Sequence, residues 1–504
     1  MFGIIDWIVL AAYWGFSIFI GLYAARGNRS FKDYMLGGGS MPWIPVGISL
    51  IATSVSATTL LGVPADVFDV DMSLIMTNVG SFLSILVVGF LFIPRFRKYD
   101  IQSAYELLEK TFSRSVRRVA AVFYAMHLVL RTGILLFAPS IVLASILQIP
   151  VWAAILISSF AAILYTWHGG FKAVVWTDVM QFLVFFGGGV FALFALAKGI
   201  GGFGELATLA AESKKSNWFN GSLDPSNART LLSAGIVYAV LEIAIRGCDQ
   251  QFVQRYLSCK DVKAANRSSI LSMVLGLAVS LLFYWLGAAL FVYYKVKNVA
   301  PLPDNLGVND VFPYFIVNGL PTGLTGLLVA AIYAAAMSSI SSAIHALGNT
   351  TEKDILCKAS GQESIARTKI CIVLWGISGT LAAFIAASQA GSLLKNALFF
   401  TGLFTGPLLA LFLLSFFAPS LRSFSVLTGV ICGMLSLLLF NKIPFIPGYV
   451  PPFTKIIVFS WPWNPLISCT VSVCVALCVN FIYQSLLKFF KTSNPISPLF
   501  SKWN

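Results

Sequence analysis

Apolar segments long enough to cross a lipid bilayer recur along the chain, and they constrain its fold more than any other feature. Of 504 residues, 58% are hydrophobic and only 11% are charged, whereas a soluble domain carries about 25% charged residues. A bilayer core of about 30 Å needs a helix of about 20 apolar residues. Since no long polar segment separates two halves, the sequence predicts one all-α integral membrane domain. Thirteen spans are predicted, at residues 4–25, 43–66, 72–94, 119–147, 151–167, 174–199, 231–254, 268–294, 315–346, 370–388, 394–417, 421–440 and 464–487.

The loops between these spans differ in basic charge. Thirteen crossings place the two termini on opposite sides of the membrane, and basic residues mark the cytoplasmic loops. One set of alternate loops carries many more lysines and arginines than the other, with Arg95, Arg97 and Lys98 as one cluster. The sequence therefore predicts a cell-membrane protein with its N-terminus outside and its C-terminus in the cytoplasm. This loop bias accounts for the net charge of +14, so no nucleic-acid partner is expected. No cleavable signal peptide is predicted, because the first span has no basic leader.

Reactive side chains form no pattern typical of an enzyme or a metal cage. The eight cysteines are scattered without a CxxC pair, and most lie in apolar segments, where cysteine behaves as a small hydrophobic residue. His127, His168 and His345 are too dispersed to hold a metal together. We therefore expect no enzymatic activity and no cofactor.

A serine cluster lies inside the ninth predicted span. Four serines occur within residues 338–342, in a stretch without charge from Val311 to Thr351. On a helix, Ser338, Ser341 and Ser342 share one face, and Ser339 lies about 100° round from Ser338. Hydroxyl oxygens are ligands that a small hard cation prefers. The alternative is that these serines only bond to the preceding turn or let a neighbouring helix approach closely.

Two predicted spans carry polar residues or helix breakers at membrane depth, where transporters concentrate their function. Span 43–66 has six hydroxyl residues and a Gly-x-Pro sequence ending at Pro64, which predicts either an unwound helix or a hydroxyl-rich packing face. Span 231–254 contains Arg246 and Asp249. These two either neutralise each other on one helix face or lie at the cytoplasmic surface because the span ends early.

These spans are the second and the seventh, the separation expected for two inverted five-helix repeats that each begin with a broken helix. The predicted repeats cover about 43–199 and 231–417, with peripheral helices at 4–25, 421–440 and 464–487. Asp178, at the start of the sixth span, is predicted to lie at the depth of the serines. It either helps to bind a cation or caps its own helix. Together these features favour a transporter over a channel or a membrane enzyme.

Three motifs resemble the sodium/solute symporter family, which includes sodium-coupled glucose, proline, pantothenate, sialic acid, iodide and multivitamin transporters. They are GGFKAVVWTD at 169–178, DQ at 249–250 with VQRYL at 253–257, and AAMSS at 335–339. The resemblance implies the leucine-transporter (LeuT-type) fold, with a core of two inverted repeats. It also implies a sodium-coupled symporter that imports a small organic solute by alternating access.

The resemblance further implies ion and solute sites at particular positions. The main sodium site would use the backbone carbonyls of Ala52, Val55 and Ala335 with the hydroxyls of Ser338 and Ser339. A second sodium site, found in some members, would use Asp178, Ser338, Ser341 and Ser342. Solute contacts are expected from Ser56, Thr59, Arg131, Asp249, Gln250, Phe404 and Thr405.

The solute itself is not specified by the sequence. The segment 131–140 resembles the iodide, monocarboxylate and multivitamin branch, which carries small anions, so Arg131 either binds a solute anion or pairs with Asp249. That branch usually has Asn in place of Asp249 and an aromatic residue in place of Arg131. A carboxylate, vitamin, sugar or amino acid all fit. A proton-coupled carrier with Asp178 as its titrating group, and a non-transporting channel or sensor, are the alternatives. Na⁺, the solute and the lipid bilayer are the expected partners, and no oligomeric state is predicted.

Overall fold

The computed structural model describes residues 2–25, 30–99, 101–356, 363–388, 393–440, 452 and 458–493. Within these ranges the chain is helical, and no β-strand forms beyond one isolated bridge between Met41 and Cys259. The α-helices are α1 (Ile4–Ala25), α2 (Phe31–Leu36), α3 (Trp43–Ser54), α4 (Ala57–Asp69), α5 (Thr77–Val87), α6 (Ile93–Lys98), α7 (Glu106–Thr111), α8 (Arg114–Leu147), α9 (Val151–Ile200), α10 (Phe203–Glu212), α11 (Tyr238–Cys248), α12 (Gln250–Ser258), α13 (Val262–Phe291), α14 (Val311–Asn318), α15 (Leu324–Thr350), α16 (Ile365–Ala387), α17 (Leu393–Phe417), α18 (Ser423–Phe440) and α19 (Asn464–Ser493).

Helical turns of other types extend several of these helices. π-Helical segments occupy Val88–Phe92, Leu231–Val237, Val292–Val296 and Thr351–Ile355. Short 3₁₀ turns occupy Gly37–Gly39, Ser73–Met76, Val308–Asp310 and Trp461–Trp463. The π segments lengthen α5, α11, α13 and α15 beyond the lengths of their α-helical parts.

The described helices are apolar enough for a membrane domain. Among the described residues, ten helical spans are long and apolar enough to cross a membrane, and the bent pair α3 and α4 raises the number to eleven. Two further apolar helical segments, Val151–Leu164 and Phe404–Phe417, are shorter than these spans. The all-α membrane fold is therefore confirmed, whereas the number thirteen stays a prediction.

Gly170 bends α9, the longest helix of the chain. Its φ of 66° and ψ of 179° lie outside the helical region, in a conformation that essentially only glycine adopts. The predicted fifth and sixth spans, 151–167 and 174–199, run on either side of this bend. The break fixes the direction of the second half, which carries Asp178.

Helix α15 lies in the interior of the bundle. Every residue of Leu324–Thr350 except Leu324 and Leu327 is buried, and the helix contacts α1, α3, α4, α8, α9, α12 and α16. Alanine, serine and glycine make up much of its sequence, and such small residues let membrane helices approach closely. The predicted serine cluster is therefore enclosed by protein on every side.

The second predicted span breaks between α3 and α4, with a bend of 57°. Val55 and Ser56 are extended at the break, and Ser56 forms a capping box with Thr59 that starts α4. The predicted unwinding of this span is confirmed, but it lies at Val55 and Ser56 and not at the Gly-x-Pro sequence, because Pro64 lies inside a continuous α4. A proline within a span is tolerated where a neighbouring helix packs against it, and α13 packs there at Gly287.

The seventh predicted span breaks at Asp249, between α11 and α12. The predicted pairing of Arg246 with Asp249 is wrong, because the break turns the Asp249 carboxylate onto the start of α12. There it accepts a hydrogen bond from the Gln251 backbone N–H at 2.7 Å, as an N-cap does. Arg246 instead pairs with Glu242, four residues earlier, at 2.7 Å. Both Arg246 and Asp249 are buried, so the alternative of surface residues beyond an early helix end is also wrong.

We predict that Gly287→Ala destabilises the protein. A Cβ at Gly287 would lie 2.7 Å from the Pro64 carbonyl oxygen and 2.7 Å from the Val67 Cβ, so α4 and α13 must separate. Overpacking of this kind costs about 1–3 kcal/mol, which lowers the apparent Tm of the detergent-purified protein. Gly187→Ala is the matched control, since no atom lies within 4 Å of its Cβ position. Equal melting temperatures for the two variants would contradict this packing.

Candidate functional site

The five positions predicted for the main sodium site come together where α15 crosses the break between α3 and α4. The Ser338 hydroxyl lies 3.0 Å from the Ala52 carbonyl oxygen and 3.1 Å from that of Ala335. The Ser339 hydroxyl lies 3.3 Å from the carbonyl oxygens of Val55 and Ala335. All five residues are buried. Three carbonyl and two hydroxyl oxygens thus share one enclosed site.

This set of oxygens is neutral, which limits the ions it suits. Carbonyl and hydroxyl oxygens are hard ligands, and without a carboxylate they balance a single positive charge better than two. Among the residues that the structure describes, no group of three or more His, Cys, Asp and Glu side chains could hold a metal ion. The site therefore fits a small monovalent cation.

Two of the residues predicted for a second sodium site, Asp178 and Ser342, bind the guanidinium group of Arg255. Arg255 donates from Nη2 to Asp178 Oδ2 at 2.8 Å and to the Ser342 hydroxyl at 2.7 Å, and from Nε to Ser49 at 2.8 Å. The Ser49 hydroxyl also donates to Asp178 Oδ2. Asp178 is fully buried, and its Oδ1 has no hydrogen-bond partner among the described residues. One carboxylate oxygen is therefore held by Arg255, and the other is free to accept a cation.

The other two members of this set, Ser338 and Ser341, lie on the same face of α15 as Ser342. Ser341 donates to the Ser338 carbonyl oxygen at 3.2 Å, and Ser342 lies 3.4 Å from the Thr53 hydroxyl. All of these side chains are buried. Because Ser338 belongs to both predicted sets, the second predicted site lies next to the main one.

A cavity of about 600 Å³ opens beside the break, between α4, α5, α8, α11 and α13. It meets the main site directly, because Val55 lines it while its carbonyl accepts the Ser339 hydroxyl. Polar groups lie on several of its walls, and aromatic and aliphatic side chains cover the rest. Its polar lining consists of Ser54, Ser56, Thr58, Thr59, Thr77, Asn78, Ser81, Arg131, Tyr238, Glu242, Arg246, Ser272 and Ser280.

Three of the described lining residues carry charge. Glu242 accepts from Arg246 Nε at 2.7 Å and from the Tyr238 hydroxyl at 2.9 Å, so the charges of this pair cancel. Arg131, on α8, makes no hydrogen bond or ion pair with any described residue, and its Nη1 is buried without a partner. The lining therefore carries one positive charge that no lining carboxylate pairs, and the buried Asp249 carboxylate, outside the lining, interacts with it electrostatically without forming an ion pair.

Ser56, Thr59 and Arg131 are the predicted solute residues that line this cavity. Four others lie outside its lining. Asp249 caps α12, and Gln250 Oε1 accepts the Ala104 backbone N–H at 2.8 Å. Phe404 packs against the Phe123 ring, and the Thr405 hydroxyl is buried without a partner. The predicted Arg131–Asp249 ion pair does not form within 4.0 Å.

Sequence reasoning missed several residues at these sites. Glu242 escaped notice although an acid four residues before Arg246 is a recognisable helix pair. Arg255 lies within the VQRYL motif, but nothing in its spacing predicts its contact with Asp178. Trp461, from the turn before α19, also lines the cavity, and no local sequence signal points to that contact.

Comparison with known proteins agrees with this architecture. A sequence model of the sodium:solute symporter family matches residues 34–433. The chain belongs to this family. The sodium/sialic acid symporter SiaT of Proteus mirabilis is 31% identical over 87% of this chain and 89% of its own length. Sodium-coupled monocarboxylate transporter 2 of Bos taurus is 30% identical over 86% and 72%, and the human sodium/iodide cotransporter is 30% identical over 85% and 67%.

Solved structures of sodium- or cation-coupled symporters also share the fold of this chain. A Na⁺-coupled sialic acid symporter, in a substrate-bound outward-open state with a novel Na⁺ site, has a TM-score of 0.84 and 28% identity over 96% of this chain and 98% of its own. The nucleobase–cation symporter Mhp1, in a closed conformation, has a TM-score of 0.58 and 12% identity over 93% and 96%, which is a likeness of fold alone. This family member is a sodium-coupled solute symporter and not an enzyme.

We predict that Arg255→Met destabilises the symporter, because it leaves the buried Asp178 carboxylate without its counter-charge. Removing one partner of a buried ion pair costs about 3–5 kcal/mol. The double variant Arg255→Met with Asp178→Asn should recover much of this loss. Thermal unfolding of the purified proteins measures both effects. A double variant no more stable than Arg255→Met would contradict the pairing.

Proposed function

We propose that this symporter couples two sodium ions to the import of a small solute with a single carboxylate. Sodium is expected to bind at the two sets of α15 serines, and the carboxylate at Arg131. The observation that carries the solute assignment is the Arg131 guanidinium in the wall of the cavity, which makes no hydrogen bond or ion pair with a described residue.

The main sodium site is assigned to the carbonyls of Ala52, Val55 and Ala335 with the hydroxyls of Ser338 and Ser339. Its support is the convergence of these five oxygens, with contacts of 3.0–3.3 Å between hydroxyl and carbonyl groups. A cation in their midst takes these oxygens as ligands in place of its water. It would then hold α15 against the broken ends of α3 and α4.

The second sodium site is assigned to Asp178, Ser338, Ser341 and Ser342. Its support is the unpartnered Oδ1 of Asp178, since a buried carboxylate oxygen without a partner is rare and costly. A sodium ion there would satisfy that oxygen while Arg255 holds the other.

Coupling is proposed to run through the break itself. Val55 supplies a carbonyl to the main sodium site, and the next residue, Ser56, lines the cavity together with it. A sodium ion that fixes the extended conformation of Val55 and Ser56 thereby shapes the solute site. This stabilises the solute-ready state, as a ligand does when it binds one conformation more tightly than another.

A carboxylate is favoured as the charged group of the solute on two grounds. A guanidinium binds carboxylates through paired, charge-assisted hydrogen bonds, and a charged group in a buried cavity needs a counter-charge. Several relatives are named for solutes that carry a carboxylate, namely sialic acids and monocarboxylates. Sialic acids are therefore the first solutes to test.

We further infer the finer topology from the same family. The pairs α3–α4 and α11–α12 are taken as the broken first helices of two inverted repeats at about 43–199 and 231–417. The thirteen-span count then places α18 and α19, like α1, outside the core. The basic loops support a cytoplasmic C-terminus and an outside N-terminus.

Ser339→Ala should raise the half-saturating sodium concentration for uptake by about tenfold, since the loss of one ligand of about 1.4 kcal/mol has that effect. Ser341→Ala and Asp178→Asn should instead lower the sodium Hill coefficient from about 2 to about 1. Ser341→Ala leaves the Arg255–Asp178 pair intact, so it separates ion binding from structural damage. Uptake into proteoliposomes at varied sodium measures both quantities. An unchanged coefficient in both variants would exclude the second site.

Arg131→Gln should abolish or weaken carboxylate uptake by at least about tenfold, because it removes a charge-assisted pair. Sodium-dependent thermal stabilisation without solute should be unchanged, because Arg131 lies outside both sodium sites. Uptake and competition assays with N-acetylneuraminate and other monocarboxylates measure the effect. Full activity in Arg131→Gln would contradict the assignment of the carboxylate.

A further inference from the structure

One wall of the cavity carries a row of polar side chains spaced one helical turn apart. Tyr238, Glu242 and Arg246 lie on one face of α11, since residues four apart stack on the same side of a helix. The Tyr238 hydroxyl donates to Glu242 Oε1 at 2.9 Å, and Arg246 Nε donates to Glu242 Oε2 at 2.7 Å. All three line the cavity, and we name them the α11 triad.

Within the triad, both carboxylate oxygens of Glu242 accept a hydrogen bond, but several N–H groups of Arg246 do not donate one. Each carboxylate oxygen of Glu242 has one partner, while the only hydrogen bond that Arg246 makes to a described residue uses Nε. Its Nη1 is buried and unpartnered, and the whole residue is 6% exposed. A guanidinium has five N–H donors and no acceptor, so the triad offers unused donors to the cavity.

Two aromatic rings pack against this wall. The Trp461 ring packs edge-on against the Tyr238 ring at 5.7 Å, and the Phe252 ring lies 5.8 Å from the Arg246 guanidinium. Both aromatic residues also line the cavity. Unused donors in such a place cost free energy unless a partner enters the site.

The charge of the triad decides what that partner is. Glu242 neutralises Arg246, so a second anionic group would gain little there and would approach the Glu242 carboxylate. A neutral acceptor, such as a hydroxyl or an amide carbonyl, meets the free N–H groups without that repulsion. Arg131 and the neutral triad line the same cavity. Together they favour a solute with one negatively charged group and one neutral polar end.

We propose that the α11 triad is a second recognition point, at which Arg246 binds a hydroxyl or amide oxygen at the end of the solute remote from its carboxylate. The proposal rests on the proposed function, which assigns the carboxylate to Arg131. The cavity is of the size that holds a drug-sized molecule. The triad therefore favours hydroxylated or amide-bearing monocarboxylates over simple fatty acids and over dicarboxylates.

Matched six-carbon acids test this specificity. Gluconate and hexanoate each carry one carboxylate but differ in their hydroxyls, and glucarate adds a second carboxylate. N-Acetylneuraminate serves as a larger acid that carries hydroxyls and an amide. Binding is measured by thermal shift of the purified protein in sodium, for the wild type and for Arg246→Gln, Arg246→Lys and Glu242→Gln. Glu205→Gln is the control, because Glu205 pairs with Lys297 away from the cavity.

In the wild type, gluconate or N-acetylneuraminate should bind more tightly than hexanoate. Arg246→Gln should weaken that binding by about tenfold and change hexanoate by less than about twofold, while Arg246→Lys retains part of the preference. Glu242→Gln leaves Arg246 uncompensated and should shift the preference towards glucarate. Glu205→Gln should behave as the wild type.

A wild type without preference for the hydroxylated acids overturns the proposal, as does an Arg246→Gln variant that weakens all acids equally. The proposed function is judged separately by Arg131→Gln. If carboxylates bind and depend on Arg131 but show no preference that depends on Arg246, only the second recognition point fails. If Arg131→Gln leaves carboxylate binding unchanged, the assignment of the carboxylate fails as well.

Discussion

The break in the second span leaves the carbonyl oxygens of Ala52 and Val55 without helical partners inside a membrane domain. A lipid interior has no water to satisfy such groups, so they must bond to protein or to an ion. The hydroxyls of Ser338 and Ser339 donate to them, which requires α15 to pass very close to the break. Small side chains along α15 permit that approach, and its nearly complete burial follows from its place at the centre.

The same geometry places the ion sites and the cavity on either side of one short extended segment. Val55 contributes its carbonyl to the serine cluster and its side chain to the cavity lining. One turn further along α15, Arg255 links Asp178, Ser342 and Ser49. Helices α3, α9, α12 and α15 are thereby joined through polar contacts at one level. In the proposed function, a change in the occupancy of one site alters the contacts that support the others, and this link is the proposed basis of coupling.

Much of this could be predicted from the sequence, because apolar spans, hydroxyl clusters and breaks are local signals. The serines of α15, the break before Ser56 and the place of Arg131 in a polar cavity all follow from such signals or from family motifs. Partners distant in sequence could not be predicted. Arg255 reaches Asp178 only because α9 bends at Gly170 and α12 begins anew at Asp249. Pro64 does not mark the position of the break, because a helix unwinds where other helices bond to its freed backbone groups. Helix α13 packs against Pro64 within a continuous helix, whereas α15 donates a hydrogen bond to the Val55 carbonyl.

The central claim is that the carbonyls freed at the break and the serines of α15 form one sodium site. A structure determined by electron cryomicroscopy at saturating sodium tests it most directly. The predicted result is an ion density enclosed by the carbonyl oxygens of Ala52, Val55 and Ala335 and the hydroxyls of Ser338 and Ser339, which disappears when potassium replaces sodium. A sodium-dependent density elsewhere with this position empty, or a continuous helix through Val55 and Ser56, would contradict the account.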